Sequence, residues 1–307
     1  MKPAGSMIPT ILLYHGVPRH AEGRWVDAES FERHVRFLKR HFRIVEPFST
    51  ARADGSSHRI PVALTFDDGF RNNAEVVAPI LKRYSVPALF FIASRHAEAG
   101  RYLWFSYLGA LEVHFPGSSL AFRGESIDMS PATRGKSVRR LRAFLLSLRP
   151  HPQAMYRVIE EELPRLEDFV DEETLRDQYQ GMTSEQVGSL CSDPLFTAGV
   201  HTVDHAFLTS CSGDEAKRQI RENRAWLERC SGRECRSIAY PAGDYDLSTL
   251  NICTAAGLAD GYAVMPSIGT HPEFEKPRLG VYFGSLPKLA IKATLGKAIR
   301  KARLRVG

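Results

Sequence analysis

The chain has 307 residues, 43% of them apolar and 25% charged, with 23 Gly and 18 Pro. That composition excludes a disordered, collagenous or low-complexity chain, and it supplies a core large enough to need no disulfide framework. The net charge of +6 sits at one end, because residues 288–307 hold seven Lys and Arg and no acid; the remainder carries 34 basic against 35 acidic residues, so no nucleic-acid-binding body is expected.

A first strand is predicted over 8–14, ending at Tyr14-His15-Gly16-Val17. Its apolar run, Ile11 to Tyr14, is far shorter than a secretory or membrane-spanning segment, so a cytoplasmic location is expected. Ser30 is placed as the cap of a helix with the stripe Phe31, Val35 and Leu38. A short strand over 42–45 follows, then a polar loop containing Asp54-Gly55-Ser56-Ser57. The buried strand 61–66 runs into Asp67-Asp68-Gly69. A helix carrying Val77, Ile80, Leu81 and Tyr84 leads to a strand over 88–92, a unit that calls for parallel pairing with a right-handed crossover.

Residues 95–182 break this rhythm. They hold the aromatics Tyr102, Trp104, Phe105 and Tyr107, a basic stretch over 134–149 and an acidic one over 160–177. A helical insertion covering one end of the fold is expected, its charged stretches either paired as neighbouring helices or solvated. Core packing is the expected role for most of the aromatics. Alternation resumes at Thr183, whose spacing to Gln186 is that of a capping box. Strand 196–200 opens into His201-Thr202-Val203-Asp204-His205, and a helix over about 214–230 follows. Strand 237–240 opens into Pro241-Ala242-Gly243, before a helix over 247–256 closed by Gly257. The last strands are predicted over 261–265 and 279–283. Cys191, Cys211, Cys230, Cys235 and Cys253 are odd in number and lack a CxxC pair, so they read as reduced, mostly buried thiols. The pattern implies an α/β fold, a parallel barrel or open sheet with its functional loops at the strand C-terminal ends.

Three such loops carry chemistry. Adjacent carboxylates at Asp67 and Asp68 repel unless a cation or proton separates their roles, although Asp-Asp-Gly is also ordinary turn chemistry. His201 and His205, four apart, can clamp one metal ion; with one Asp they make two N ligands and one O ligand, leaving a position open. The Pro-x-Gly turn can bring backbone N–H groups close to a substrate, and is equally a plain βα turn.

Together and in this order, Thr65-Phe66-Asp67-Asp68-Gly69, His201-Thr202-Val203-Asp204-His205 and Tyr240-Pro241-Ala242-Gly243 resemble the first three motifs of the NodB-homology polysaccharide deacetylases, carbohydrate esterase family four. The resemblance implies a distorted, incomplete (β/α) barrel and hydrolysis of N-acetyl groups on amino sugars of a polysaccharide or glycan precursor. It also implies one divalent metal, usually zinc, on Asp68, His201 and His205, with Asp67 as general base. The segment Leu12-Leu13-Tyr14-His15-Gly16-Val17 resembles the N-terminal motif of the circularly permuted poly-N-acetylglucosamine deacetylase branch, which makes His15 the general acid.

Two departures stand out. The family's motif-three Arg aligns with Ala239, leaving Arg278 as the candidate guanidinium; the aromatic after the motif-three Pro is Ala242, so only its backbone N–H can serve an oxyanion, beside Tyr240. A non-glycan amide, N-formyl or O-acetyl substrate is an alternative, as is an inactive carbohydrate-binding barrel; the intact Asp and His motifs argue against the latter. At the C-terminus, a helix would gather Ile291, Leu295, Ala298, Ile299, Ala302 and Val306 within about 100°, with most of the basic residues off that arc. Such a helix suits either docking on the barrel or contact with an anionic membrane surface, where lipid-linked sugars would be substrates.

Overall fold

The computed structural model describes residues 9–20, 26–48, 59–98, 101–264 and 268–303, with backbone alone for 295–303. The Asp54-Gly55-Ser56-Ser57 loop, Ile8 and Met265 lie outside the described residues, as do Val306 and the stripe side chains from Leu295 onward. In chain order the elements are β1 (Thr10–Tyr14), α1 (Ala28–His41), β2 (Arg43–Ile44), β3 (Pro61–Phe66), α2 (Ala78–Arg83) and β4 (Ala88–Ile92). The insertion contributes α3 (Trp104–His114), β5 (Ser119–Phe122), β6 (Glu125–Asp128), α4 (Arg134–Ser147), α5 (Pro152–Glu161) and the single turn α6 (Glu172–Thr174). Then come α7 (Ser184–Ser192), β7 (Phe196–Val200), α8 (Gly213–Ser231), β8 (Ser237–Ala239), α9 (Leu247–Ala255), β9 (Asp260–Ala263), β10 (Lys276–Gly280) and α10 (Leu286–Arg303).

Seven parallel strands close on themselves in the order β1-β10-β9-β8-β7-β4-β3, with β3 pairing back to β1; β2 adds two residues at the start of β3. This is the expected distorted barrel, one strand short of eight. Both faces of β3 and β4 and nearly all of β7 are covered, which is why 61–66, 88–92 and 196–200 read as largely apolar runs. Inward side chains Ile11, Ala63, Leu89, Phe91, Ala239 and Tyr262 form the barrel interior. The alternate residues, such as Leu12, Leu64, Phe66 and Phe90, pack outward in the larger core under the helices. Gly199 on β7 faces Phe91 on β4, where an added Cβ would lie 2.6 Å from the ring, so a larger residue there would displace it.

Three expectations are corrected. The first helix is capped by Asp27, whose carboxylate accepts from Ser30 N–H at 2.7 Å; Ser30 lies inside the first turn. The last strand runs three residues earlier than its apolar pattern suggested, because its inward position is Arg278 rather than a hydrophobe. The insertion also contains an antiparallel hairpin, β5–β6, turning through Arg123 and Gly124 at φ 53° and 78°. Of the two alternatives for the insertion's charged stretches, the ion pairs formed are with residues outside the opposite stretch, several of them solvent-exposed: Arg140 with Glu125, Glu162 with Arg123, Glu160 with Arg95 and Arg176 with Glu75.

The insertion has its own core, including Trp104, Leu108, Leu111, Leu141, Met155 and Tyr156. All five cysteines are free, three of them buried. The start of α10 is docked: Leu289 and Ala293 are fully buried, and the helix packs on β1 and α1 while Ile291 points outward. Among the described residues no helix is long and apolar enough to cross a membrane.

Candidate active site

The chemistry-bearing loops emerge together at the C-terminal ends of the strands. Asp67 and Asp68 follow β3, and the turn continues through Gly69 at φ 79°, where a Cβ would meet Ile92 at 2.5 Å. Asp68 itself adopts φ 74°. Its Oδ1 lies 3.3 Å from His201 Nε2 and 3.4 Å from His205 Nε2, and all three residues are buried. Although Asp68 is 1% exposed, neither carboxylate oxygen has a hydrogen-bond partner, an arrangement that is costly unless a cation takes those lone pairs.

The histidines are prepared for the same role. His201 Nδ1 donates to Ala239 O at 2.8 Å, which leaves Nε2 with its lone pair toward Asp68. Burial opposes charge on His201, but the carboxylates of Asp67 and Asp68 raise its pKa. For His205, packed edge-on against Phe105 and His201, burial dominates and pushes the imidazole down to about 4, so it is neutral at ordinary pH. Burial also opposes ionisation of Asp68, yet the adjacent His201 and the charges of His15 and His205 hold its carboxyl well below the usual carboxylate range. Two imidazoles and a carboxylate with uncommitted oxygens fit one divalent transition-metal ion.

Asp67 is gripped by the guanidinium in question. Arg278 Nη1 and Nη2 donate to Asp67 Oδ1 and Oδ2 at 2.6 and 2.8 Å, with both side chains buried. Arg278 reaches it from β10 across the closed barrel, over the face of Phe91. Ala239, where the family pattern has its Arg, is buried in the barrel interior. His15 follows β1 at the rim, half-buried, with its ring 5.5 Å from that of Tyr282 and its carbonyl accepting from Asn73 Nδ2 at 3.0 Å. Ala242 is exposed at the tip of its turn, in a left-handed conformation at φ 55°. Tyr240 corrects an expectation: its hydroxyl donates to Phe274 O at 2.9 Å, its ring stacks on Tyr245, its N–H donates to Tyr262 O and its carbonyl accepts from Gly243 N–H, so each of its polar groups is already engaged within the fold.

Sequence reasoning missed Tyr282, a half-exposed ring beside His15, and named Phe105 only among the insertion's aromatics, without its place against His205. Neither carries a local signal, since each arrives through tertiary packing.

The family model for polysaccharide deacetylases matches residues 54–121 and 154–260. The chain belongs to the polysaccharide deacetylase family. The gap between the two matched stretches lies within the insertion, and the match also leaves out the residues before 54 and after 260, where His15 and Arg278 stand. Solved structures agree in fold. A deacetylase from Streptococcus pyogenes, PplD in complex with acetate, superposes with a TM-score of 0.59 at 16% identity, covering 93% of this chain and 97% of that one. IcaB from Ammonifex degensii gives 0.55 at 17%, covering 94% and 96%, and the BpsB deacetylase domain from Bordetella bronchiseptica gives 0.53 at 13%, covering 92% and 98%. No curated protein matches the sequence.

Proposed function

We propose that this chain is a metal-dependent hydrolase that removes N-acetyl groups from the amino sugars of a polysaccharide or glycan precursor. The observation that carries this reading is the buried Asp68–His201–His205 cluster beside an Asp67 clamped by Arg278. Asp68, His201 and His205 would hold one divalent ion, most readily zinc, which when bound polarises an acyl oxygen and acidifies a water ligand. Asp67, its carboxylate oriented by Arg278, accepts the proton of the attacking water. The Ala242 N–H, presented by its left-handed turn, donates to the oxygen on which negative charge develops. His15, at the rim near Asp68 and His205, protonates the departing amine as the C–N bond breaks. Acetate and a free hexosamine amine are the products.

The test is acetate release from a panel of N-acetylated oligosaccharides and lipid-linked sugars, run beside N-formyl and O-acetyl substrates. Acetate release from the glycans that is lost in Asp67→Asn, with metal content retained, supports the reading. Turnover confined to formyl or ester substrates would replace it with another hydrolase, and a folded protein inert toward all of them would leave a binding barrel.

A further inference from the structure

The loop that carries both metal-site histidines is held in an unfavourable shape. Thr202 and His205 adopt φ values of 65° and 50°, a region that non-glycine residues rarely occupy, least of all a β-branched one. Such a conformation persists only where its surroundings over-determine it. At the centre of those surroundings is Asp204, a residue for which the reaction above has no use.

Asp204 is almost fully buried, and every polar group it carries is engaged. Its carboxylate accepts from Gln219 Nε2 at 2.6 Å, Arg95 Nη1 at 3.2 Å and Arg218 Nη2 at 3.4 Å. Its N–H donates to Gln219 Oε1 at 2.9 Å, and its carbonyl accepts from the Tyr156 hydroxyl at 3.0 Å. On the preceding residue, Val203 N–H donates to Gln219 O, and Val203 O accepts from Arg95 N–H. Arg95 in turn pairs with Glu160 at 2.5 Å and lies 4.1 Å above the Tyr156 ring. The loop is therefore gripped from two sides, by α8 of the barrel through Gln219 and Arg218, and by the insertion through Arg95, Tyr156 and Glu160.

We propose that Asp204 is a positioning residue for the metal site, and that through it the insertion sets how well His201 and His205 are presented to the ion. The inference rests on the reading that Asp68, His201 and His205 bind a metal. Charge-assisted hydrogen bonds from three donors fix the direction of the carboxylate, and with it the backbone of the residue just before His205. Release of the grip lets the loop leave its left-handed shape. The ion then meets a site that is ligand-complete in only a fraction of molecules, and its apparent affinity falls by that fraction.

The test measures zinc affinity of the full chain by chelator competition, together with the visible absorption spectrum of the cobalt(II) form. Asp204→Asn is expected to bind zinc about 10- to 100-fold more weakly, the usual effect of losing an outer-shell partner, with an altered cobalt spectrum. Tyr156→Phe, which removes one hydrogen bond from the insertion side, should shift both readouts in the same direction and by less. A folded Asp204→Asn protein with wild-type affinity and spectrum would overturn the proposal; where that variant does not fold, an unchanged Tyr156→Phe protein overturns it. Failure of the wild-type chain itself to bind zinc or cobalt would sink the metal-site reading, and this inference with it.

Discussion

Replacing Arg278 by Met separates a working guanidinium from a mere filler of the barrel. The side chain is 1% exposed and makes two short hydrogen bonds to a carboxylate that is itself buried. Removal of one partner from such a pair leaves an uncompensated interior charge, at a cost of about 3–5 kcal/mol. For a chain of this size that corresponds to a fall in melting temperature on the order of 10 °C. Activity should fall further than stability explains. Asp67 loses both bonds that fix its orientation, and misplacement of a general base costs roughly 10²- to 10⁴-fold in kcat. Arg278→Lys should restore part of the stability, since the charge returns, but little of the rate, because an ammonium cannot reproduce the two-pronged grip. The double variant Asp67→Asn with Arg278→Met completes the cycle: with both charges gone, it should be more stable than the sum of the single losses allows. The assays are thermal unfolding and steady-state acetate release. An Arg278→Met enzyme with wild-type kcat, or strictly additive stability losses in the cycle, would refute the reasoning.

Three further outcomes are expected. His15→Ala should keep its metal and lose about 10²-fold or more in kcat, with the alkaline limb of the pH profile altered and the acidic limb unchanged; wild-type turnover would remove His15 from the mechanism. Burial opposes ionisation of Glu275, but the N–H groups of Ile268, Gly269 and His271 and the Tyr245 hydroxyl hold its carboxyl below the usual range. Its contribution is therefore present above the unfolded value near 4.3 and lost as pH falls through the folded one, so Glu275→Gln should cost on the order of 2 kcal/mol at pH 7 and converge with wild type in acid. For the tail, where cytoplasmic membrane contact is our proposal, the full chain should float with anionic liposomes and a chain ending at Pro287 should not; equal behaviour of the two would leave α10 as a docked helix only, anchored by Leu289 and Ala293.

Much of the barrel was legible because strands covered on both faces read as largely apolar runs, and β3, β4 and β7 do, with Thr65 and Thr197 the exceptions. The same logic displaced β10, whose inward position is an Arg, by three residues, and hid the β5–β6 hairpin, where only Leu120 and Ile127 are buried. Asp67, Asp68, His201 and His205 were legible because each follows directly on a readable strand. Asp204 and Arg95 were not, since their importance is a matter of partners brought in from α8 and from the insertion.

The position of Arg278 shows why such a partner is invisible along the chain. Asp67 and Arg278 are separated by 211 residues and meet only because β1 pairs with β3 on one side and β10 on the other, closing the barrel. Ala239 and Arg278 both face the interior, on β8 and β10, where the Arg278 guanidinium takes both oxygens of the Asp67 carboxylate. An Arg at 239 would bring a second buried cation toward a carboxylate whose two oxygens Arg278 already occupies, and a buried cation without its own well-formed pair costs several kcal/mol. In this chain, then, the small residue on β8 and the cation on β10 are two halves of one solution. The departure from the family pattern at 239 is best explained as relocation of the clamp, which is why Arg278 rather than position 239 is the residue on which activity should depend.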